Sequence, residues 1–170
     1  SGHLDLRLAL NDLPGFAMDE TSSFQRVRLA VDNSRPTIAA ISLDEVASGS
    51  DLSIGACGNL LVMLETIDDY GFDLDEPAVL HYRVRAGEAE ISRGSVPLPD
   101  TTPFGEQFFW TGHLDLTDSG ATTLLPSYMV DVWVSGSDSA GNPFNTFGNS
   151  IDEPIASWSL ALLGPSIDLD

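Results

Sequence analysis

Short runs in which every second residue is apolar recur along this 170-residue chain, and they restrict it to β-structure. Leu4, Leu6, Leu8 and Leu10 alternate with Asp5, Arg7 and Ala9, and the same rhythm returns at Leu60-Val62-Leu64, Leu80-Tyr82-Val84 and Val130-Val132-Val134. A strand turns successive side chains to opposite faces, so this pattern marks strands with one buried face. The runs are separated by turn residues, with 15 Gly and 10 Pro in all, which suits many short strands better than long helices. Beyond Leu4–Leu10 and Phe24–Val31, the candidate strands are Ile38–Leu43, Asn59–Ile67, Ala78–Arg85, Ala89–Arg93, Gln107–Leu116, Tyr128–Gly136 and Ile155–Leu163. The seven from Thr37 onward predict a two-sheet antiparallel β-sandwich.

Charge narrows the partners. The chain carries 26 acidic residues against 7 Arg and no Lys, a formal net charge of −19. Such a surface repels phosphate backbones and argues against a nucleic-acid partner. It suits either a high-salt setting or a generally acidic exported protein, and it supplies carboxylates for divalent cations. No apolar stretch reaches the length of a membrane helix, so direct membrane insertion is not expected. Cys57 is the only cysteine, so no disulfide can form within the chain.

An internal repeat organises the chain. Leu4–Leu10, followed by Asn11-Asp12 and Pro14-Gly15-Phe16, parallels Val130–Val134, which continues to Gly141-Asn142-Pro143-Phe144. Val27–Val31 followed by Pro36-Thr37-Ile38 parallels Trp158–Leu162 followed by Pro165-Ser166-Ile167, and the two prolines lie 129 residues apart. That separation is the length of one sandwich domain. Residues 1–34 are therefore expected to be the terminal hairpin of a preceding repeat. Residues 35–164 should be a complete domain, and 165–170 the start of a linker or next repeat.

The segment Tyr128-Met129-Val130-Asp131-Val132-Trp133-Val134-Ser135-Gly136-Ser137-Asp138-Ser139-Ala140-Gly141-Asn142-Pro143 resembles the penultimate strand and final hairpin turn of immunoglobulin-like or fibronectin type III-like repeats of large bacterial and archaeal surface proteins. Asp32-Asn33-Ser34-Arg35-Pro36 resembles the joint that opens the next repeat, and Asp68-Asp69-Tyr70-Gly71 the acidic turn before the third strand. The resemblance implies an immunoglobulin-like sandwich acting as a non-catalytic structural or adhesive module outside the cell, flanked by copies of itself. Two segments depart from a compact repeat: Arg93–Glu106 reads as a long proline-rich loop, and Asn142–Pro154 carries aromatics. Those loops leave open a second reading, a module that binds a surface glycan or a protein.

Candidate sites follow from these readings. Asp68, Asp69, Asp73, Asp75 and Glu76 offer oxygen ligands for calcium, as do Asp138 and Asn142 in the final turn. The alternatives are a solvated acidic turn for the first group, and for Asp138 hydrogen bonds to its own backbone beside a positive-φ Gly141. Trp110 with Phe108 and Phe109, and Trp133, are candidates for stacking on a sugar, as are Phe144 and Phe147. Trp133 is out of phase with Val132 and Val134, so it must be exposed or lie under a loop such as Arg93–Glu106, the covered position being expected. His3, His81 and His113 have no metal-binding spacing, and no nucleophile elbow, phosphate loop or Cys–His zinc motif occurs. No catalytic residue is predicted.

Overall fold

The alternating runs become the ladders of two five-stranded sheets. The computed structural model describes residues 2–6, 27–54, 59–69, 71–116, 128–144 and 149–162. In chain order the strands are β1 (Gly2–Leu6), β2 (Val27–Val31), β3 (Thr37–Leu43), β4 (Val46–Ala47), β5 (Asp51–Ile54), β6 (Asn59–Ile67), β7 (Ala78–Ala86), β8 (Ala89–Leu98), β9 (Asp100–Phe104), β10 (Gln107–Asp115), β11 (Met129–Ser135) and β12 (Ala156–Leu162). No helix is present among the described residues, and none is therefore long and apolar enough to cross a membrane.

One sheet runs β4-β3-β6-β10-β9 and the other β5-β12-β11-β7-β8. This is the strand order of an immunoglobulin-like sandwich, with the first strand divided between the two sheets. The division departs from the all-antiparallel expectation, because β5 runs parallel to β12. A tight turn makes it possible: Asp44 and Glu45 take φ of 47° and 64°, β4 folds back on β3, and β5 then joins the opposite sheet.

The core lies where the sequence rhythm points. Leu60, Val62 and Leu64 of β6 face inward with Trp110 and Leu114 of β10, against Leu80, Tyr82 and Val84 of β7, Val130, Val132 and Val134 of β11, and Trp158 and Leu160 of β12. Each such aliphatic side chain contributes about 1.5–3 kcal/mol on burial. The indoles are placed by their nitrogens as well as their area: Trp110 Nε1 donates to Thr66 Oγ1 (2.9 Å) and Trp158 Nε1 to the Val46 carbonyl (3.0 Å). Gly112 marks a close approach of the two sheets, since a Cβ there would lie 2.8 Å from Leu98 Cδ2 and 2.9 Å from the Pro97 carbonyl oxygen.

The expected loop at Arg93–Glu106 is instead strand. β8 continues through Pro97 to Leu98, and β9 carries Pro103. Both are edge strands of their sheets, where proline's missing N–H can face outward without breaking a ladder. β1 and β2 pair antiparallel in a two-stranded sheet of their own.

Candidate functional site

Three segments meet at the end of the sandwich where the chain enters: the joint from Asp32 to Pro36, the turn after β6, and the turn between β11 and β12. Each is shaped by a short side chain that hydrogen-bonds nearby backbone. Asp32 Oδ1 accepts from the Ser34 amide (2.8 Å), and Asp32 and Pro36 are both buried. Asp68 Oδ2 accepts from the Gly71 amide (2.6 Å), where Gly71 turns the chain with φ of +88°. Asp138 Oδ1 accepts from the amides of Ala140 and Asn142 (2.8 Å each), its Oδ2 accepts from Asn142 Nδ2 (2.8 Å), and Gly141 takes φ of +86°.

The segments are tied to one another. Asn142 Nδ2 also donates to the Asp32 carbonyl (3.2 Å) and the Ser139 amide to the Gly71 carbonyl (3.0 Å), while the Asp68 amide donates to the Glu106 carbonyl in the turn between β9 and β10 (3.0 Å). The result brings one carboxylate oxygen each from Asp32, Asp68 and Asp69 within 4.8 Å of one another. Asp32 and Asp68 are 6% and 5% exposed, whereas Asp69 is open to solvent.

The proposed ligands divide accordingly. Asp68 and Asp69 lie in this cluster, but Asp73, Asp75 and Glu76 are exposed in the following turn, where Asp73 Oδ1 accepts from the Asp75 amide (3.0 Å). The Asp138 carboxylate has both oxygens engaged within its own turn, which fits the clamp reading of that residue. Sequence reasoning missed Asp32 as a companion of Asp68. The signal was there, in an acidic residue opening the joint, but only the fold brings it to the turn after β6.

The outer face of the β5-β12-β11-β7-β8 sheet holds a second constellation. Asp131 is fully buried on that face, and Arg83 and Arg85 reach its Oδ2 at 2.8 and 2.7 Å while Ser157 Oγ donates to Oδ1 at 2.7 Å. Burial pushes the Asp131 carboxyl up, but the hydrogen bonds from Arg85, Ser157 and Arg83 outweigh it and hold it below the ordinary carboxylate value. The same hydrogen bond to Asp131 raises the Arg85 guanidinium.

Two residues along β11, Trp133 pairs with His81 of β7, and their rings stack at 5.6 Å with 13° between planes. Trp133 is half-buried, so the expected loop cover is replaced by the imidazole of a neighbouring strand. His81 is itself pushed below its usual value by burial, and its Nε2 lies 2.7 Å from Ser135 Oγ. Both rings line a groove of about 490 Å³ with Arg93, Pro143, Asn149 and Ile151. Asn149 serves the fold, its amide exchanging two hydrogen bonds with the Val134 backbone (2.6 and 2.8 Å) as a strand would.

Of the other stacking candidates, Phe109 is half-buried and three are buried. Phe144 is 2% exposed and packs on Phe72 with ring centroids 5.7 Å apart; Trp110 and Phe108 are buried in the core. A bulky ring following Gly-Asn-Pro is better used to close the end of the sandwich than to meet solvent. Phe147 and Cys57 lie outside the described residues. No family model and no curated protein matches this sequence, so geometry alone carries the functional reading.

Proposed function

We propose that this chain is a non-catalytic structural unit in a row of similar β-sandwiches, part of an extracellular or cell-surface protein, with its neighbours in the row as its main partners. The observation that carries the reading is a shared pairing register. In the β1–β2 hairpin Leu4 pairs with Leu29 and Leu6 with Val27; in the β11–β12 hairpin Val130 pairs with Trp158 and Val132 with Ala156. Placing Leu4 on Val130 therefore places Leu29 on Trp158, two positions from the match drawn from sequence, which set Val27 on Trp158. The adjusted separation along the second strand is 129 residues, the same as that between Pro36 and Pro165. Partner strand and joint thus repeat at one separation of 129 residues, while the first strand repeats at 126, the turn between the strands differing in length by three.

The joint supports the same reading. It is buried at Asp32 and Pro36 and held by Asn142, so the chain leaves β2 in a defined direction. A tether between independent domains would instead be exposed and polar.

A tandem chain in which Leu160 of one copy runs directly into Asp32 of a second tests this. Small-angle scattering should report two folded sandwiches in an extended, defined arrangement. A folded sandwich trailing an unfolded second copy would reject the repeat frame. The groove beside Trp133 favours the alternative, a glycan- or protein-binding module. One consistent class of binder on a glycan array, lost in Trp133→Ala, would replace the purely structural reading.

A further inference from the structure

We propose that Asp32, Asp68 and Asp69 bind one calcium ion, which locks the joint onto the sandwich; the role given to the ion rests on the repeat reading above, its binding does not. Acidic residues cluster on many surfaces of a chain with net charge −19, so their proximity alone would mean little. The distinguishing observation is Asp32. It is 6% exposed, its Oδ1 accepts from Ser34, and its Oδ2, also buried, makes no hydrogen bond among the described residues. Asp32 has no salt bridge among those residues either. A carboxylate oxygen withdrawn from water without a donor or cation is strongly unfavourable, and a bound cation removes the difficulty.

The geometry fits a large, hard ion. Two oxygens on opposite sides of calcium, each about 2.4 Å from it, lie about 4.8 Å apart, and every pair in the cluster falls within that span. Three carboxylates carry enough oxygens for much of a shell of roughly six to eight, and exposed Asp69 leaves water free to complete it. Magnesium, with shorter bonds of about 2.1 Å and strict octahedral demands, suits such a site less well.

The position gives the ion its consequence. Asp32 follows β2 directly, while Asp68 and Asp69 follow β6, the middle strand of its sheet. An ion held by all three joins the incoming chain to the sandwich. Asn142, whose Nδ2 donates to the Asp32 carbonyl, holds the same residue without a ligand.

The test is calorimetric titration of calcium into the metal-stripped 170-residue chain in about 0.5 M NaCl, which suppresses diffuse binding to the acidic surface. The expected result is one saturable site, weakened at least tenfold by Asp32→Asn and by Asp69→Asn and changed less than twofold by the Asp73→Asn, Asp75→Asn pair. Circular dichroism checks that each variant is folded, and Asp69→Asn decides the matter if Asp32→Asn is not. Limited proteolysis should show the joint protected by calcium in the parent chain and unprotected in Asp69→Asn. The site is overturned by the absence of saturable binding up to about 10 mM, or by binding that survives both single variants and vanishes in the loop pair. Equal affinity for magnesium overturns the assignment to calcium. Calcium binding without protection of the joint overturns its locking role. Failure of binding would leave the repeat frame untouched, because the tandem chain tests that frame without reference to metal.

Discussion

Asp131 and Asp32 are both carboxylates removed from water, 0% and 6% exposed, yet the fold treats them differently. Asp131 sits mid-strand between two guanidiniums and a hydroxyl, so its charge is answered by side chains that β7 and β12 bring to fixed places. Asp32 sits in a joint with two more carboxylates nearby and no salt bridge among the described residues. The difference teaches where a counter-charge can come from. Within a sheet the register supplies it from side chains of the chain itself. At the joint, the proposed calcium ion would supply it, and the hold on the joint would then depend on the surroundings.

Removing the counter-charge from Asp131 should have the largest effect. Arg83→Ala with Arg85→Ala leaves a buried carboxylate facing only Ser157, at a cost of about 3–5 kcal/mol in urea unfolding. Replacing Asp131, Arg83 and Arg85 together by apolar residues of similar size should cost much less, because no orphaned charge remains. A double-alanine cost below about 1 kcal/mol would show that Asp131 is less isolated from water than its burial indicates.

At Asp32 the sign itself should depend on the solution. In calcium at a hundredfold above its dissociation constant, binding stabilises the folded chain by about 2.7 kcal/mol, and Asp32→Asn, at a tenfold loss of affinity, forfeits about half of that. With chelator present the same substitution should be neutral or stabilising, since it removes one charge from a crowded cluster. Thermal unfolding of both proteins in both buffers gives the four numbers. A destabilisation of equal size with and without calcium would make Asp32 a structural residue of the Asp131 kind.

Acid should test the Asp131 side of the comparison. The folded Asp131 carboxyl lies below its ordinary value, so its stabilisation is complete above the unfolded pKa of about 3.9 and is lost as pH falls through the lower folded value. Stability should therefore drop steeply below about pH 4 in the parent chain. The drop should be shallower in the triple apolar variant. Parallel acid profiles for the two would remove Asp131 as the cause.

How far these two residues could be read from sequence follows from what periodicity encodes. β6, β7, β10, β11 and β12 announce themselves because one face is uniformly apolar, and the placement of Trp158 in the core follows from its phase with Leu160. Asp131 holds the polar phase of β11, the same as any surface residue. Only the pairing of β11 with β7, which sets Asp131 against Arg83, reveals it. Two of the chain's 7 arginines stand two apart on β7, and that was the available hint. β4 and β5 are too short to show a period, while Pro97 and Pro103 disguise the edge strands β8 and β9 as a loop. The acidic turn was visible as chemistry, but its spatial grouping was not: residues 68–76 look like one candidate ligand set, whereas the fold sets Asp68 and Asp69 beside Asp32 and leaves Asp73, Asp75 and Glu76 exposed in the next turn.

Salt gives the smallest expected effect and the finest resolution of the comparison. With 26 acidic residues against 7 Arg, exposed carboxylates such as Asp73, Asp75 and Glu76 repel one another at low ionic strength. The screening length falls from about 10 Å at 0.1 M to about 3 Å at 1 M, so the unfolding midpoint of the parent chain should rise by a few degrees across that range. The Asp73→Asn, Asp75→Asn pair should gain up to about 0.5 kcal/mol in 0.1 M NaCl and nothing in 1 M, because its benefit is relief of a repulsion that salt also relieves. The Arg83→Ala, Arg85→Ala penalty should change much less over the same range, since the Asp131 carboxylate is itself buried and held by direct hydrogen bonds. The two responses are independent. A salt-sensitive Asp131 penalty would place that pair with the surface charges, and a midpoint that stays flat or falls with salt would remove repulsion as a force on this fold. If both behave as expected, two environments for one functional group stand apart: solvated and screened, and enclosed and matched by arginine.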